Sequence, residues 1–195
     1  QKERLALLEI VRTAIPAVIR LEPRRFQDAR GFFTETWNRA RMAAAGLNVD
    51  FVQDNHSYSA EAGTVRGLHY QSPPMAQAKL VRVARGAIRD VAVDVRRGSP
   101  TYGRWVAEEL SAANGYQLFV PEGFLHGFVT LTPDTDVIYK VNAPYAPECD
   151  GAVRFDDPDL AVDWGIGPGK AVLSDKDAAA PVFRDFETPF TYEET

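Results

Sequence analysis

The sequence predicts an all-β domain, a sandwich or barrel of short strands, and three observations carry that prediction. From Ile15 onward, short β-like runs are separated at regular spacing by Gly, Pro, Asp and Asn. Apolar residues alternate with period two, most clearly over 87–95, where Val91, Val93 and Val95 share one face and Asp90 and Asp94 the other. Only residues 38–45 form an internal stretch with helical character, and Gly46 stops it. Many short strands closed by turn residues fit a sandwich or barrel.

Taken in order, residues 1–14 set Leu5, Leu8 and Val11 at helical spacing among Lys2, Glu3, Arg4, Glu9 and Arg12. A short amphipathic helix is expected there, as an N-terminal extension or packing arm. A strand over 18–21 is followed by the turn-prone 27–31, a second strand over 32–37 and then the helix. Residues 53–79 are dense in groups that handle protons: a polar run Gln53, Asp54, Asn55, His56, Ser57, a turn at Gly63, and a strand over 65–70. His56 reads as a polar turn residue. Strands over 79–83 and 87–95 meet at Gly86; 99–103 breaks the pattern and 104–110 resumes it. Asn114-Gly115 is a hairpin signal before Gln117–Val120. Residues 121–123 turn into a strand over 124–131, and 137–142 is another. Beyond it Pro144, Pro147, Pro158, Pro168, Pro181 and Pro189 mark an irregular tail, with a helix expected over 175–180.

No repeat or linker divides the 195 residues, and 45% apolar with 25% charged is ordinary globular usage, so one domain is expected. Its parts are an extension (1–14), a barrel (15–143) and a C-terminal segment (144–195) that completes a site. A net charge of −5 argues against a nucleic-acid protein, because phosphate backbones call for a basic face. Cys149 is the only cysteine, so an intrachain disulfide is excluded and a reducing compartment is expected. Glu9 and Arg12 interrupt the first apolar run, and no later one is long enough to span a bilayer, so a cytoplasmic protein with no membrane partner is expected.

Seven strings then occur in register: DARGFFTETW (28–37), QDNHSYS (53–59) with VRGLHYQ (65–71), QAKLVRV (77–83), DVAVDVRRGSPTYG (90–103), LSAANGYQLFVPEGFLHGF (110–128), VIYK (137–140) and LSDKDAAAP (173–181). Together they resemble the dTDP-4-dehydrorhamnose 3,5-epimerase family over roughly residues 15 to 185. The resemblance implies a cupin-type jelly roll that forms a homodimer, acts on a dTDP-4-keto-6-deoxy sugar, and uses no metal or organic cofactor.

That chemistry sets three roles. A hydrogen beside a ketone is removed to give an enolate, so inversion needs a base on one face, an acid on the other and a group holding the oxyanion. The resemblance assigns the base to His69, its carboxylate partner to Asp177, the acid to Tyr139 and the oxyanion to Lys79. Asp175, two residues before Asp177, reads as a solvated helix start. His126 takes a binding or oxyanion role, and Tyr145 and Lys176 contact substrate. Arg30 and Arg66 match family positions contacting the substrate, where the planar guanidinium fork suits the diphosphate. Phe32 or Phe33 stacks on thymine, and Glu35, Gln53 and Asn55 make polar contacts. Where the family has a glutamate, this chain has Asp150 in PECDG, with Glu148 nearby. Arg24, Arg25, Arg96 and Arg97 read as solvated.

Strict alternation puts Arg66 and His69 on opposite faces of their strand, so both reach one site only if Gly67 bends or bulges it. Two other readings are an epimerase acting at C3 or C5 alone and a noncatalytic sugar-binding cupin. A metal-dependent cupin would present an HxH pair, and Gln71 stands where the second histidine would be.

Overall fold

In the computed structural model, the described residues are 7–167 and 169–194. Among the described residues thirteen strands form in chain order: β1 (Leu8–Arg12), β2 (Ile19–Pro23), β3 (Arg25–Asp28), β4 (Gly31–Thr34), β5 (Gln53–Ser59), β6 (Val65–Gln71), β7 (Lys79–Arg85), β8 (Ala87–Asp94), β9 (Trp105–Ser111), β10 (Gln117–Val120), β11 (Phe124–Thr130), β12 (Thr135–Val141) and β13 (Asp150–Ala152). The helices are α1 (Arg39–Ala44) and α2 (Asp175–Ala178), with 3₁₀ turns at Pro147–Cys149 and Phe183–Asp185. A six-stranded sheet runs β1-β2-β10-β7-β12-β5 and a five-stranded sheet runs β13-β6-β11-β8-β9. Pairing between the named strands is antiparallel, and the two sheets form the expected jelly roll of the cupin type. The β3–β4 hairpin stands outside both sheets.

Three apolar clusters hold the layers. Val81, Val83, Leu118 and Val137 of the six-stranded sheet meet Ile88, Ala92, Leu110 and Phe128 of the five-stranded sheet. The other face of the five-stranded sheet, with Val91, Val93 and Leu125, is covered by Leu160, Trp164 and Phe190 of the C-terminal segment. Outside the six-stranded sheet, Met42 and Leu47 cover Leu21, Leu80 and Phe119. The alternation read in 87–95 is therefore real, but its aspartate face is the interior: Asp90 and Asp94 are fully buried. Asp94 accepts from Arg96, Ser99 and Thr101, and the Arg96 guanidinium lies over the Phe124 and Tyr192 rings. Arg96 is thus the partner of a buried carboxylate rather than a solvated charge.

Two local expectations are corrected. The helix expected over 1–14 is a strand, β1, where it is described; residues 1–6, with Leu5, lie outside the described residues. Ile10 and Val11 are β-branched, and pairing with β2 from Leu8 to Arg12 overrides the helical spacing. The polar run at 53 is also a strand, paired to β12 from Gln53 to Ser59. Alternation there is between the barrel mouth and solvent rather than between apolar and polar. His56 is consequently an exposed strand residue hydrogen-bonded to Asp136. Of the tail prolines, Pro168 lies outside the described residues.

Candidate active site

One bulge aligns the site. Facing β11, His69 is the register partner of His126 and Arg66 the partner of Phe128, so three steps on β6 oppose two on β11. The extra residue flips the parity that would otherwise send Arg66 and His69 to opposite faces. Gly67 sits at φ +137°, and a Cβ there would lie 2.6 Å from the Gly127 Cα and 2.9 Å from the His126 carbonyl oxygen. Only glycine fits so close an approach at that dihedral angle.

Arg66, His69, Lys79, His126, Tyr139, Lys176 and Asp177 then line one cavity of about 410 Å³, with Phe128, Val172 and Leu173 as apolar wall. A second cavity of about 380 Å³ shares His69, Lys79, Tyr139 and Lys176 and adds Gln53, Asn55, Tyr145 and Asp150 at the barrel mouth. Eleven of the fifteen residues singled out in sequence are therefore gathered here. Arg30, Phe32, Phe33 and Glu35 are not: they lie on or just after the β3–β4 hairpin, exposed, and line neither cavity. Arg30 pairs with Asp28, Glu35 with Arg41, and Phe32 lies under the Arg25 guanidinium.

The Asp177 Oδ1 accepts from His69 Nε2 at 2.6 Å, and Oδ2 accepts from the Gly67 N–H at 3.2 Å. α2 holds this carboxylate in place, with Ser174 capping the helix by accepting from the Asp177 N–H. Burial raises the Asp177 carboxyl, but the His69 hydrogen bond and charge, the Gly67 N–H and Lys176 outweigh it and keep it below the usual carboxylate range. An ionised carboxylate only accepts, so His69 carries its proton on Nε2 and keeps the Nδ1 lone pair free.

Tyr139 stands across the cavity on the other sheet, beside its register partner Asn55. Burial pushes its phenol above the usual range, against the pull of Asn55 and Arg66, so it is a neutral proton donor at pH 7. Lys79 stands deep in the cavity with its amine 5.9 Å from the Tyr139 ring centre. Burial pushes that amine down to about 8, against the charges of Asp90 and Asp150. A second imidazole–carboxylate pair lies beside it: His126 Nε2 to Asp90 Oδ1 at 2.7 Å. Burial pushes the His126 imidazolium down, with Lys79 and His69 adding to the effect and Asp90 opposing it.

At the mouth, the Arg66 Nε donates to Ser59 Oγ at 3.2 Å and an Nη to the Tyr58 carbonyl at 2.9 Å, which props the guanidinium at the opening. Lys176 is paired with Asp150, and Glu148 is exposed and lines neither cavity. Gln53 donates to Asn55 at 2.8 Å and accepts from the Tyr145 N–H at 3.2 Å. Gln71 is occupied structurally: it donates to the Met75 and Pro144 carbonyls and accepts from the Ala146 N–H. Sequence reasoning missed Asp90 as a member of the site. Its signal was present, since a charge on the face opposite three valines needs a partner if that face is the interior.

The arrangement can remove a proton from one side of a carbon, hold a developing oxyanion and return a proton from the other side. Comparison with known proteins agrees with that geometry. The family model for dTDP-4-dehydrorhamnose 3,5-epimerase matches residues 12–185. Curated relatives of that name are similar: one from Sinorhizobium fredii is 51% identical over 185 residues, covering 92% of this chain and 91% of the relative. One from Pseudomonas aeruginosa is 50% identical over 179 residues, covering 91% and 97%. The crystal structure of a dTDP-6-deoxy-D-glucose-3,5-epimerase from Legionella pneumophila, in complex with dTDP-4-keto-L-rhamnose, superposes with a TM-score of 0.91 at 42% identity, covering 96% of this chain and all of that one. With its motifs in register, its jelly roll shared and its family model matched over 12–185, the chain belongs to the dTDP-4-dehydrorhamnose 3,5-epimerase family.

Proposed function

We propose that the chain inverts C3 and C5 of a dTDP-4-keto-6-deoxy-D-glucose to give dTDP-4-keto-L-rhamnose. The observation that carries this reading is the opposition of His69 and Tyr139 across one cavity, on different sheets. An enolate is planar at the reacting carbon, so a base on one wall and an acid on the other invert the centre instead of restoring it.

In this mechanism the His69 Nδ1 takes the proton from the carbon next to the C4 ketone. The electron pair moves to the ketone oxygen, and Asp177 stabilises the imidazolium that forms. The Lys79 ammonium, in a site largely screened from water, stabilises the enolate oxygen. Tyr139 then gives its proton to the opposite face, and solvent restores both groups before the second carbon reacts. Arg66 at the mouth meets the diphosphate, with Lys176 beside it; Gln53, Asn55, Tyr145 and Asp150 serve the nucleotide sugar. No step calls for a metal or organic cofactor.

Arg30, Phe32, Phe33 and Glu35 belong to the same reading through a homodimer. Phe32 and Phe33 are 56% and 70% exposed on the hairpin, apolar surface that a second copy would bury. The proposed dimer sets each hairpin at the partner's cavity, where its arginine and aromatics would meet the nucleotide. Light scattering that gives a monomer would remove this part. A cytoplasmic setting is supported by the free Cys149, and among the described residues no helix is long and apolar enough to cross a membrane.

Incubation with dTDP-4-keto-6-deoxyglucose in heavy water, followed by mass and NMR analysis, tests the reading. Deuterium at both C3 and C5 supports it. Deuterium at one carbon indicates a single-centre epimerase, and at neither, a noncatalytic binding protein.

A further inference from the structure

Asp90 is fully buried, and its two oxygens differ. Oδ1 accepts from His126 Nε2 at 2.7 Å, whereas Oδ2 is buried with no hydrogen-bond partner among the described residues. A buried carboxylate with one empty oxygen is costly unless a cation lies near it. The Lys79 amine is the cationic group that lines the same cavity as His126; it makes no ion pair with Asp90 among the described residues, and the Asp90 charge favours its protonated form across that gap. The other charged or titratable groups lining the cavities with Lys79 are His56 from β5, Arg66, His69 and Tyr70 from β6, His126 from β11, Tyr139 from β12, Tyr145, Asp150 from β13, and Lys176 and Asp177 from α2.

The same carboxylate decides what His126 can do. Because Asp90 accepts at Nε2, the proton of neutral His126 sits there, and Nδ1 makes no hydrogen bond to any described residue while the ring lines the cavity. A neutral imidazole in that tautomer accepts at Nδ1 and cannot donate to an oxyanion. The cavity is otherwise rich in donors: Lys79, Arg66, Lys176 and the Tyr139 hydroxyl. An acceptor among them has a use, since a sugar hydroxyl needs one.

We propose that Asp90 is a positioning residue that divides the deep end of the cavity into a donor, the Lys79 ammonium, and an acceptor, His126 Nδ1, a pair that reads an α-hydroxyketone by holding its carbonyl oxygen with one group and its hydroxyl proton with the other. The oxyanion role therefore falls to Lys79 alone, and His126 is a hydroxyl acceptor. The α-hydroxyketone part rests on the epimerase reading; the tautomer and the Asp90–Lys79 coupling do not.

Nitrogen-15 NMR of the histidine-labelled wild-type protein tests the tautomer without substrate. With three histidines in the chain, single substitutions assign each ring. His126 is expected with Nε2 in the protonated range and Nδ1 in the unprotonated range at pH 7.5. A proton on Nδ1, or on both nitrogens, overturns the proposal. In Asp90→Asn the amide can donate to the ring, so the tautomer preference is lost. The basic limb of the kcat/KM profile moves about one unit to lower pH as Lys79 loses its counter-charge. KM for the keto sugar rises severalfold with the lost acceptor, while kcat falls at pH values where wild-type Lys79 is still charged. An unmoved basic limb in a folded Asp90→Asn protein also overturns the proposal. Should that variant not fold, the wild-type spectrum decides alone. A wild-type protein with the stated tautomer but no deuterium incorporation would sink the epimerase reading and leave the donor–acceptor division standing.

Discussion

The two imidazole–carboxylate pairs in this cavity have the same composition and opposite surroundings. His69 meets Asp177 at 2.6 Å with its side chain 32% exposed, while His126 meets Asp90 at 2.7 Å with its side chain 7% exposed. Asp177 comes from the C-terminal segment, 108 residues from His69, and is satisfied twice, by the ring and by the Gly67 N–H. Asp90 comes from the strand next to His126 and keeps one oxygen unsatisfied. The lesson is that a histidine–carboxylate contact does not by itself make a base. What separates the pairs is whether the ring can accept a proton and then exchange it with solvent: His69 opens to the cavity mouth, whereas burial above all, with the Lys79 amine beside it, opposes a charge on His126.

Substituting each ring is the sharpest way to break this comparison. His69→Ala should lower kcat by roughly 10³-fold, as expected for loss of a general base, and abolish deuterium incorporation. His126→Gln, whose amide can still donate to Asp90, should cost roughly tenfold, mainly in KM, as expected for a lost hydroxyl contact. Steady-state kinetics on both variants decide the matter: equal losses in kcat would mean that the two pairs share the proton transfer.

Tyr139→Phe isolates what the first pair does alone. His69 can still remove and return a proton on its own face, so deuterium should enter at C3 while net inversion falls by about 10²-fold. Loss of exchange together with inversion would mean that the phenol is needed to reach the enolate. Asp177→Asn should lower kcat by roughly 10²-fold or more, because the amide can impose the wrong tautomer on His69 and carries no charge to stabilise the imidazolium. A pH–rate profile with unchanged height would show that Asp177 only anchors the β6 bulge through the Gly67 N–H.

Most of the fold was legible because alternation survives wherever one face is apolar, as in β7 and β8, and because turn residues bound strands buried on both faces, as before β11. It failed at β5 and β1 for different reasons. In β5 both faces are polar, one toward the cavity and one toward solvent, so period two had no hydrophobic contrast to reveal it. In β1 the helical spacing of Leu8 and Val11 was real but local, and backbone pairing with β2 decided the outcome. The site was legible from its motifs and, at Gly67, from geometry, since parity alone demanded a bulge. Asp90 escaped because its meaning depends on which face of β8 is interior. The place of Arg30, Phe32, Phe33 and Glu35 depends on a surface that one chain does not complete.

The smallest expected effect concerns stability and separates the pairs in the absence of substrate. The folded-state pKa of His126 is lowered from 6.5, so below that pH the unfolded chain takes up a proton that the folded chain refuses. Stability then rises with pH across the window below 6.5 and falls as the protein is acidified, with a slope of up to about 1.4 kcal/mol per pH unit for one proton. Aspartates such as Asp177, whose folded pKa lies below 3.8, add their own loss only at lower pH, as they protonate, so the interval from about pH 6.5 to pH 5 isolates the histidines. Urea unfolding at half-unit steps should show this slope in the wild type, and His126→Gln should flatten it by about 1 kcal/mol over the interval. His69→Gln serves as the control, because its ring sits at the open end of the cavity, 32% exposed, rather than in the buried interior. A slope that survives in His126→Gln would mean that the buried ring accepts a proton after all, and the distinction between the two pairs would then have to rest on access to substrate alone.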